Sequence, residues 1–297
     1  MATADDRKEE RVIQTKFAVR LYVKHPNENQ VFDQYVLAPR GDGVLRVPAS
    51  ADWYVEVISE MASEADMPAL IREMIGSKVE GLAFPCCTFL TPDMLEPLKE
   101  FAELRVLRLA GCEQLPGRVV QALSRNLAEI DLEDVPVTDD DLAALRRLVK
   151  LHTLSLARTK VTDAGLKHLG EIASLRNLSL GSTGITDNGL HQIPPTIESL
   201  DLSATGVNTV QGLEKLKKLR RLFLDGSAID CGGIERVRDL PELVTLSLSE
   251  CDDVTDTCIA SLSAMKTLKY LDVSGTGVTP GGVKRLRAAL PGCEVIE

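Results

Sequence analysis

Aromatic residues make up only 4% of this 297-residue chain, and there is a single tryptophan. Large rings therefore cannot fill an irregular core, and aliphatic side chains must carry the burial. A surplus of basic residues is missing as well: 34 Lys and Arg stand against 44 Asp and Glu, for a net charge of −10. Nucleic-acid binding needs excess cations to displace counterions from phosphates, so no nucleic-acid partner is expected. No segment approaches the roughly 18 consecutive apolar residues of a spanning helix. The opening MATADDRKEERV mixes acids and bases without an apolar stretch, which is unlike a secretory signal. No membrane partner is expected, and the chain is expected to be cytoplasmic. Seven cysteines are an odd number without framework spacing, so reduced thiols are expected.

The motifs of several chemistries are also missing. H-E-x-x-H, G-x-x-x-x-G-K-[ST] and G-x-S-x-G do not occur. None of His25, His152, His168 and His191 is paired in sequence with a nucleophile. Asp252, Asp253 and Asp256 supply too few oxygens at fixed offsets for a calcium loop. No catalytic residue, metal or cofactor is expected, and the chain is read as a non-enzyme.

What the chain has is a repeated phrase: L-x-x-L-x-L, then Thr or Cys, an apolar residue, and often Thr-Asp. It is cleanest from Leu151 through Leu154, Leu156, Thr159, Val161, Thr162 and Asp163, with Leu166 and Leu169 following. It opens again at Val79, Leu104, Leu127, Leu175, Ile197, Leu219, Leu243 and Leu268, in steps of 22 to 25 residues. Such a period marks a solenoid. The fourth and sixth positions alternate onto the inner face of a short strand, and the residues between face outward. Thr138, Thr162, Thr186 and Thr255 are placed to cap helices, and the Asp after each sets negative charge against a helix N-terminus. Apolar residues three or four apart follow: Leu142, Leu145 and Leu148; Leu166, Leu169 and Ile172; Ile259, Leu262 and Met265. One strand and one helix cannot cover each other, so neighbouring layers must do so.

These residues resemble the leucine-rich repeat family over 79–297. The Thr-Asp-x-Gly-Leu variant at 162–166 and 186–190 is similar to the cysteine-containing repeats of F-box ubiquitin-ligase receptors and to bacterial cytosolic repeat proteins. The resemblance implies an α/β solenoid: a horseshoe with a parallel concave sheet, convex helices and a protein-binding role. Residues 1–15 read as a disordered, charge-rich tail. Residues 16–78 read as a small N-terminal α/β cap that includes a degenerate first repeat, and 79–297 as repeats with a C-terminal cap. In the cap, alternation through Phe17–Lys24, Val31–Leu37, Val44–Val47 and Trp53–Ile58 predicts strands. Turns are expected at His25–Asn29 and Arg40–Gly43. A helix is expected from Ser63 as N-cap, burying Met67, Leu70, Ile71, Met74 and Ile75.

Cys87, Cys112 and Cys251 stand at the ninth position, where other repeats have Thr159, Thr183, Thr205, Ser227 and Thr276. Two residues separate each of these cysteines from the next apolar one, against one residue in the Thr and Ser repeats. Turn length covaries with residue type, which marks a structural position. Cys251-Asp252-Asp253 matches a C-x-D ligase motif, but it lies inside a repeat; Cys86-Cys87 has no second pair to suggest a metal. Cys231 and Cys258 are small residues near helix starts.

A binding surface is sought among the outward strand positions. Glu129, Asp131 and Glu133 form an acidic spot, while Arg221, Phe223, Asp225, Tyr270 and Asp272 gather aromatics and charges. Exposed aromatics and Arg are enriched at hot spots, which favours the second patch. Trp53 and Tyr54 are assigned to the cap core. The expected function is a protein-binding module or scaffold whose partner the sequence does not name. The alternative is a substrate-recognition subunit of a ubiquitin-ligase-like assembly, against which the strand pattern of 16–59 counts, because an F-box is helical.

Overall fold

The computed structural model describes residues 11–24, 35–38, 43–47 and 52–297. Its N-terminal part holds β1 (Arg11–Thr15), β2 (Val19–Lys24), β3 (Tyr35–Ala38), β4 (Gly43–Val47), β5 (Asp52–Val57) and α1 (Met67–Gly76). β1 pairs antiparallel with β4 as a separate two-stranded sheet. β2 pairs antiparallel with both β3 and β5.

Residues 11–15 correct the expected tail. Ile13 and Thr15 are buried while Val12 and Gln14 face out, a strand pattern that the neighbouring charges mask in sequence. The turn expected at His25–Asn29 lies outside the described residues, as do 31–34 and 40–42. Ser63 is not the helix cap. α1 starts at Met67, with Asp66 at its N-cap position, and the Ser63 N–H and hydroxyl donate to Asp66 Oδ2 at 3.1 and 2.8 Å. The acceptor comes after the turn, so the cap shifts three residues. Met67, Leu70, Ile71 and Met74 are buried and Ile75 partly so.

From β5 every neighbouring strand is parallel, through β6 (Gly81–Ala83), β7 (Val106–Arg108), β8 (Glu129–Asp131), β9 (Thr153–Ser155), β10 (Asn177–Ser179), β11 (Ser199–Asp201), β12 (Arg221–Phe223), β13 (Thr245–Ser247), β14 (Tyr270–Asp272) and β15 (Glu294–Ile296). With β2 and β3 they form one 13-stranded sheet. The central residue of each three-residue strand points inward. Leu154, Leu178, Leu200, Leu222 and Leu246 are in register and buried, so the core is a continuous column of aliphatic layers. The opposite side carries short elements: α2 (Pro92–Leu95), α3 (Asp163–Leu169), α4 (Asp187–Leu190), α5 (Cys231–Val237), α6 (Ile259–Ala264) and α7 (Pro280–Ala289). Other repeats substitute 3-10 turns, including Asp141–Arg147, where a regular helix is expected from the leucine spacing. Leu142, Leu145 and Leu148 are nonetheless buried, because a 3-10 helix has three residues per turn and side chains three apart fall on the same face.

After each strand the backbone swings into the left-handed region at one equivalent position. Cys86, Gly111, Asp134, Arg158, Ser182, Ala204, Gly226, Glu250 and Gly275 all have positive φ. Only three are glycine, and each other residue pays about 1 kcal/mol or more of strain. The compensation is an amide ladder: Arg158 N–H donates to Gly181 O at 2.8 Å, Ser182 to Ser203 O at 2.8 Å, and Glu250 to Ser274 O at 2.8 Å.

A second ladder explains the Thr-Asp-x-Gly phrase. Thr162, Thr186 and Thr255 accept from their own helix starts, as their spacing predicts; Thr138 instead donates to Asp141 Oδ2 at 2.8 Å. The Asp reaches the next repeat. Asp139 Oδ1 and Oδ2 accept the Thr162 N–H and hydroxyl at 2.8 and 2.6 Å. Asp163 does the same for Thr186 at 2.8 and 2.6 Å, and Asp256 for Thr279 at 2.9 and 2.9 Å. The Thr279 N–H, its hydroxyl and the Arg285 guanidinium hold the Asp256 carboxyl below the usual carboxylate range. Glycine is required beside each clasp: a Cβ on Gly189 would stand 2.4 Å from Asp163 Oδ1. Gly→Ala inside a helix normally stabilises by about 0.5–1 kcal/mol, but Gly189→Ala is expected to destabilise by about 1–3 kcal/mol through overpacking. In an Asp163→Ala background the same change should become neutral or favourable. Urea denaturation of the four-member cycle checks this, and additive effects would refute the clasp.

Candidate functional site

The outward residues of the strands form the concave face, and their registers align two columns across the sheet. One runs from Tyr22 and Tyr54 through Gly81, Val106, Glu129, Thr153, Asn177, Ser199, Arg221 and Thr245 to Tyr270. The other runs from Arg20 and Glu56 through Ala83, Arg108, Asp131, Ser155, Ser179, Asp201, Phe223 and Ser247 to Asp272. The cap strands therefore extend the repeat face.

That continuity corrects the assignment of Tyr54 to the cap core. Trp53 is core, 7% exposed. Its neighbour Tyr54 faces the other way and stacks on Tyr22, with ring centroids 5.0 Å apart and planes 9° from parallel. Across Gly81 and Ala83, Arg108 lays its guanidinium over the Tyr54 ring, 5.0 Å from the centroid. Gly81 permits the approach, since a Cβ there would lie 2.5 Å from Tyr54 Cβ. Burial pushes the Tyr54 phenol up to about 12, against the opposing charge of Arg108. Arg108 also reaches Glu129 at 3.9 Å and Asp131 at 4.0 Å, and Arg20 pairs with Glu56 at 2.7 Å. Aromatic stack, guanidinium and acidic spot make one contiguous surface over β2 and β5 to β8.

The acidic spot sits as the alternation predicts, with Glu129 and Asp131 on β8. Glu133 lies in the turn behind them, its N–H donating to Asp131 Oδ1 at 3.1 Å. Burial first, then the charges of Asp131 and Asp134, raise the Glu133 carboxyl. Farther along, Arg221 and Phe223 share β12, while Tyr270 and Asp272 share β14. β13 intervenes, so the two pairs stand about 10 Å apart. The Tyr270 hydroxyl donates to Asp272 Oδ2 at 3.3 Å, and Asp225 Oδ1 accepts the Ser249 N–H at 2.9 Å. The patches chosen from the sequence leave out Arg20, Tyr22, Glu56 and Arg108, although Arg108 falls in an outward column. The alternation of Arg20 and Tyr22 with buried Val19 and Leu21 was the available signal, and what it lacked was the pairing of β2 beside β5.

The ninth-position cysteines are structural. Cys112 donates its thiol to Phe84 O at 3.0 Å and Cys251 to Leu224 O at 3.1 Å, each a carbonyl of the preceding repeat. Thr159, Thr205 and Thr276 instead donate within their own repeats, to Leu156, Leu202 and Val273 carbonyls at 2.7, 2.6 and 2.6 Å. The longer turn of the cysteine repeats thus accompanies a different acceptor. Burial pushes the Cys112 thiol up to about 12 and raises Cys87 and Cys251. A buried, protonated Cys251 is the reverse of an activated nucleophile.

One expectation about the thiols is overturned: Cys231 and Cys258 form a disulfide, with Cα atoms 4.9 Å apart. Their separation of 27 residues is about one solenoid step, and stacking makes sequence-distant helix starts neighbours. Among the described residues, no group of three His, Cys, Asp or Glu is arranged to hold a metal ion, and no helix is long and apolar enough to cross a membrane.

Comparison with known proteins agrees with this architecture. Residues 264–286 match a family model described as Leucine Rich repeat. No curated protein sequence matches the chain. An octameric complex of latrophilin 3, Unc5D and the leucine-rich-repeat part of FLRT2 contains a similar chain, with TM-score 0.54 and 18% identity, covering 73% of this chain and 74% of that one. Internalin F from Listeria monocytogenes is also similar, with TM-score 0.45 and 17% identity over 68% of this chain and 69% of its own. The fold is a leucine-rich-repeat solenoid.

Proposed function

We propose that the chain is a non-enzymatic protein-binding module that receives its partner on the concave face, anchored where Arg108 covers the Tyr22–Tyr54 stack. The observation that carries this reading is that cluster itself: two stacked tyrosines and an arginine on the outward face of the sheet. Tyr and Arg dominate interface hot spots because they combine broad apolar contact with directional polar groups. Glu129, Asp131 and Glu133 adjoin the anchor and would select a partner with complementary cations at its rim. Arg221, Phe223, Asp225, Tyr270 and Asp272 supply a second contact region on the same face. In FLRT2, the repeat part is one member of a multiprotein complex, a precedent for this use of the fold. Strands rather than helices in the described part of 16–59 leave the ubiquitin-ligase alternative without support.

Quantitative affinity capture tests the proposal. Tyr54→Ala/Arg108→Ala is expected to weaken specific capture about tenfold or more, as loss of a hot spot of about 2 kcal/mol implies. Phe223→Ala/Tyr270→Ala should weaken it less, and Lys167→Ala on the exposed side of α3 not at all. Equal capture by all three variants would defeat the concave-face reading.

A further inference from the structure

The Asp clasps between repeats are interrupted at two consecutive interfaces. Thr209 stands in the place of the clasping Asp, and its hydroxyl accepts from Gln211 N–H within its own repeat at 3.4 Å. Cys231 stands at the same place one repeat later, and there the link to the following repeat is covalent, through Cys258. The next repeat resumes with Asp256 gripping Thr279. Where the noncovalent series lapses, a cavity of about 500 Å³ opens, lined by Asn208, Thr209, Asp230, Cys231, Asp253 and Thr257, with Ala228. The two sulfurs are not equally reachable. Cys258 is buried at 0% exposure, while Cys231 is only partly buried and lines the cavity.

We propose that Cys231–Cys258 is a reversible thiol–disulfide site, opened by a small neutral or cationic thiol that enters this cavity and attacks Cys231 Sγ. In the first step the incoming thiolate forms a bond to Cys231 Sγ, the Cys231–Cys258 bond breaks, and Cys258 leaves as a thiolate that takes up a proton. A second thiolate then attacks the small-molecule sulfur of the mixed disulfide and releases Cys231 as thiolate. Two thiols are oxidised to one small disulfide as the protein gains two thiols; a small-molecule disulfide reverses the sequence. The Thr257 hydroxyl, 3.2 Å from Cys231 Sγ, is placed to donate to the Cys231 thiolate released in the second step. Asp230 and Asp253 are the charged residues lining the cavity, so it disfavours a thiolate that carries a further negative group and favours one that carries an ammonium. Asp230 also caps α5 by accepting Gly233 N–H at 3.0 Å, which leaves Asp253 as the charge that can be removed at least structural cost.

The test uses the full chain, oxidised in air, acid-quenched, alkylated in denaturant and peptide-mapped. A 231–258 linkage is expected, and its absence would overturn the proposal. Opening is then timed with cysteamine, 2-mercaptoethanol and 2-mercaptoethanesulfonate, each rate normalised to thiolate concentration and to that thiol's rate on hydroxyethyl disulfide. The expected order is cationic, neutral, anionic, spread several-fold at low salt and converging at high salt. Asp253→Asn should narrow the spread; if that variant does not fold, the salt dependence in the unaltered chain decides. Equal low-salt rates, or a first mixed disulfide on Cys258, would refute the route. On opening, amide exchange should rise in 229–262 but not in 104–169, and Cys231→Ser should show the raised exchange without any thiol. Unchanged exchange in both would show that the bridge restrains nothing.

Discussion

Leu200→Ala is expected to lower the free energy of unfolding by about 2–5 kcal/mol, the range for truncating a fully buried leucine. Leu200 is 0% exposed and sits in register between Leu178 and Leu222, so the lost methyl groups leave a void in both adjoining layers. The consequence is not confined to magnitude. A solenoid is held together by nearest-neighbour interfaces, and a weakened central layer divides the array into two blocks. The single tryptophan, Trp53, lies in the core of the N-terminal cap, and its fluorescence reports on that block. Far-ultraviolet circular dichroism reports on the whole chain. In urea the two probes are expected to coincide for the unaltered protein and to separate for Leu200→Ala, which breaks the two-state condition. A shift below 1 kcal/mol with coincident probes would contradict this account of the core.

Loss of the Cys231–Cys258 bridge carries the other large effect. Closing a loop of 27 residues restricts the unfolded chain by about 3–4 kcal/mol in the chain-entropy model. Cys231→Ser/Cys258→Ser should therefore unfold at clearly lower urea concentration than the oxidised protein. The variant should match the unaltered protein assayed under reductant, because both lack the same restraint. The comparison is informative because the interface before it, between the layers carrying Thr209 and Asp230, already lacks a clasp. If reductant leaves the midpoint of the unaltered protein unchanged, the bridge contributes nothing to stability.

How much of this was legible beforehand differs by residue. The inward leucines, the outward columns and the structural role of Cys112 and Cys251 follow from local periodicity, and the structure places them accordingly. The pair Glu129 and Asp131 was legible for the same reason, since alternating positions of one strand share a face, whereas Glu133 lies in the turn after β8. Tyr54 was not, because its exposure depends on which side of the cap sheet continues the repeat sheet. That is set by the pairing of β2 with β5 and of β5 with β6, contacts between residues 27 to 38 positions apart. Thr-Asp was read as a helix start, and its threonine is one in several repeats. The aspartate's grip on the following threonine became visible only when successive layers were stacked, as did the reason for glycine beside it.

The period of 22 to 25 residues dictated the architecture without help, because leucines at fixed spacing can be buried only by repeating the same layer. It also dictated which side chains leave the core, and hence the candidates for binding. Stacking decided everything that passes between layers: the aspartate clasps, the cysteine bridge that replaces one of them, and the arginine resting on a tyrosine two strands away. Those contacts join residues roughly one or two periods apart, and a one-dimensional pattern carries no distance between them. Their geometry exists only once neighbouring strands lie about 4.8 Å apart in register.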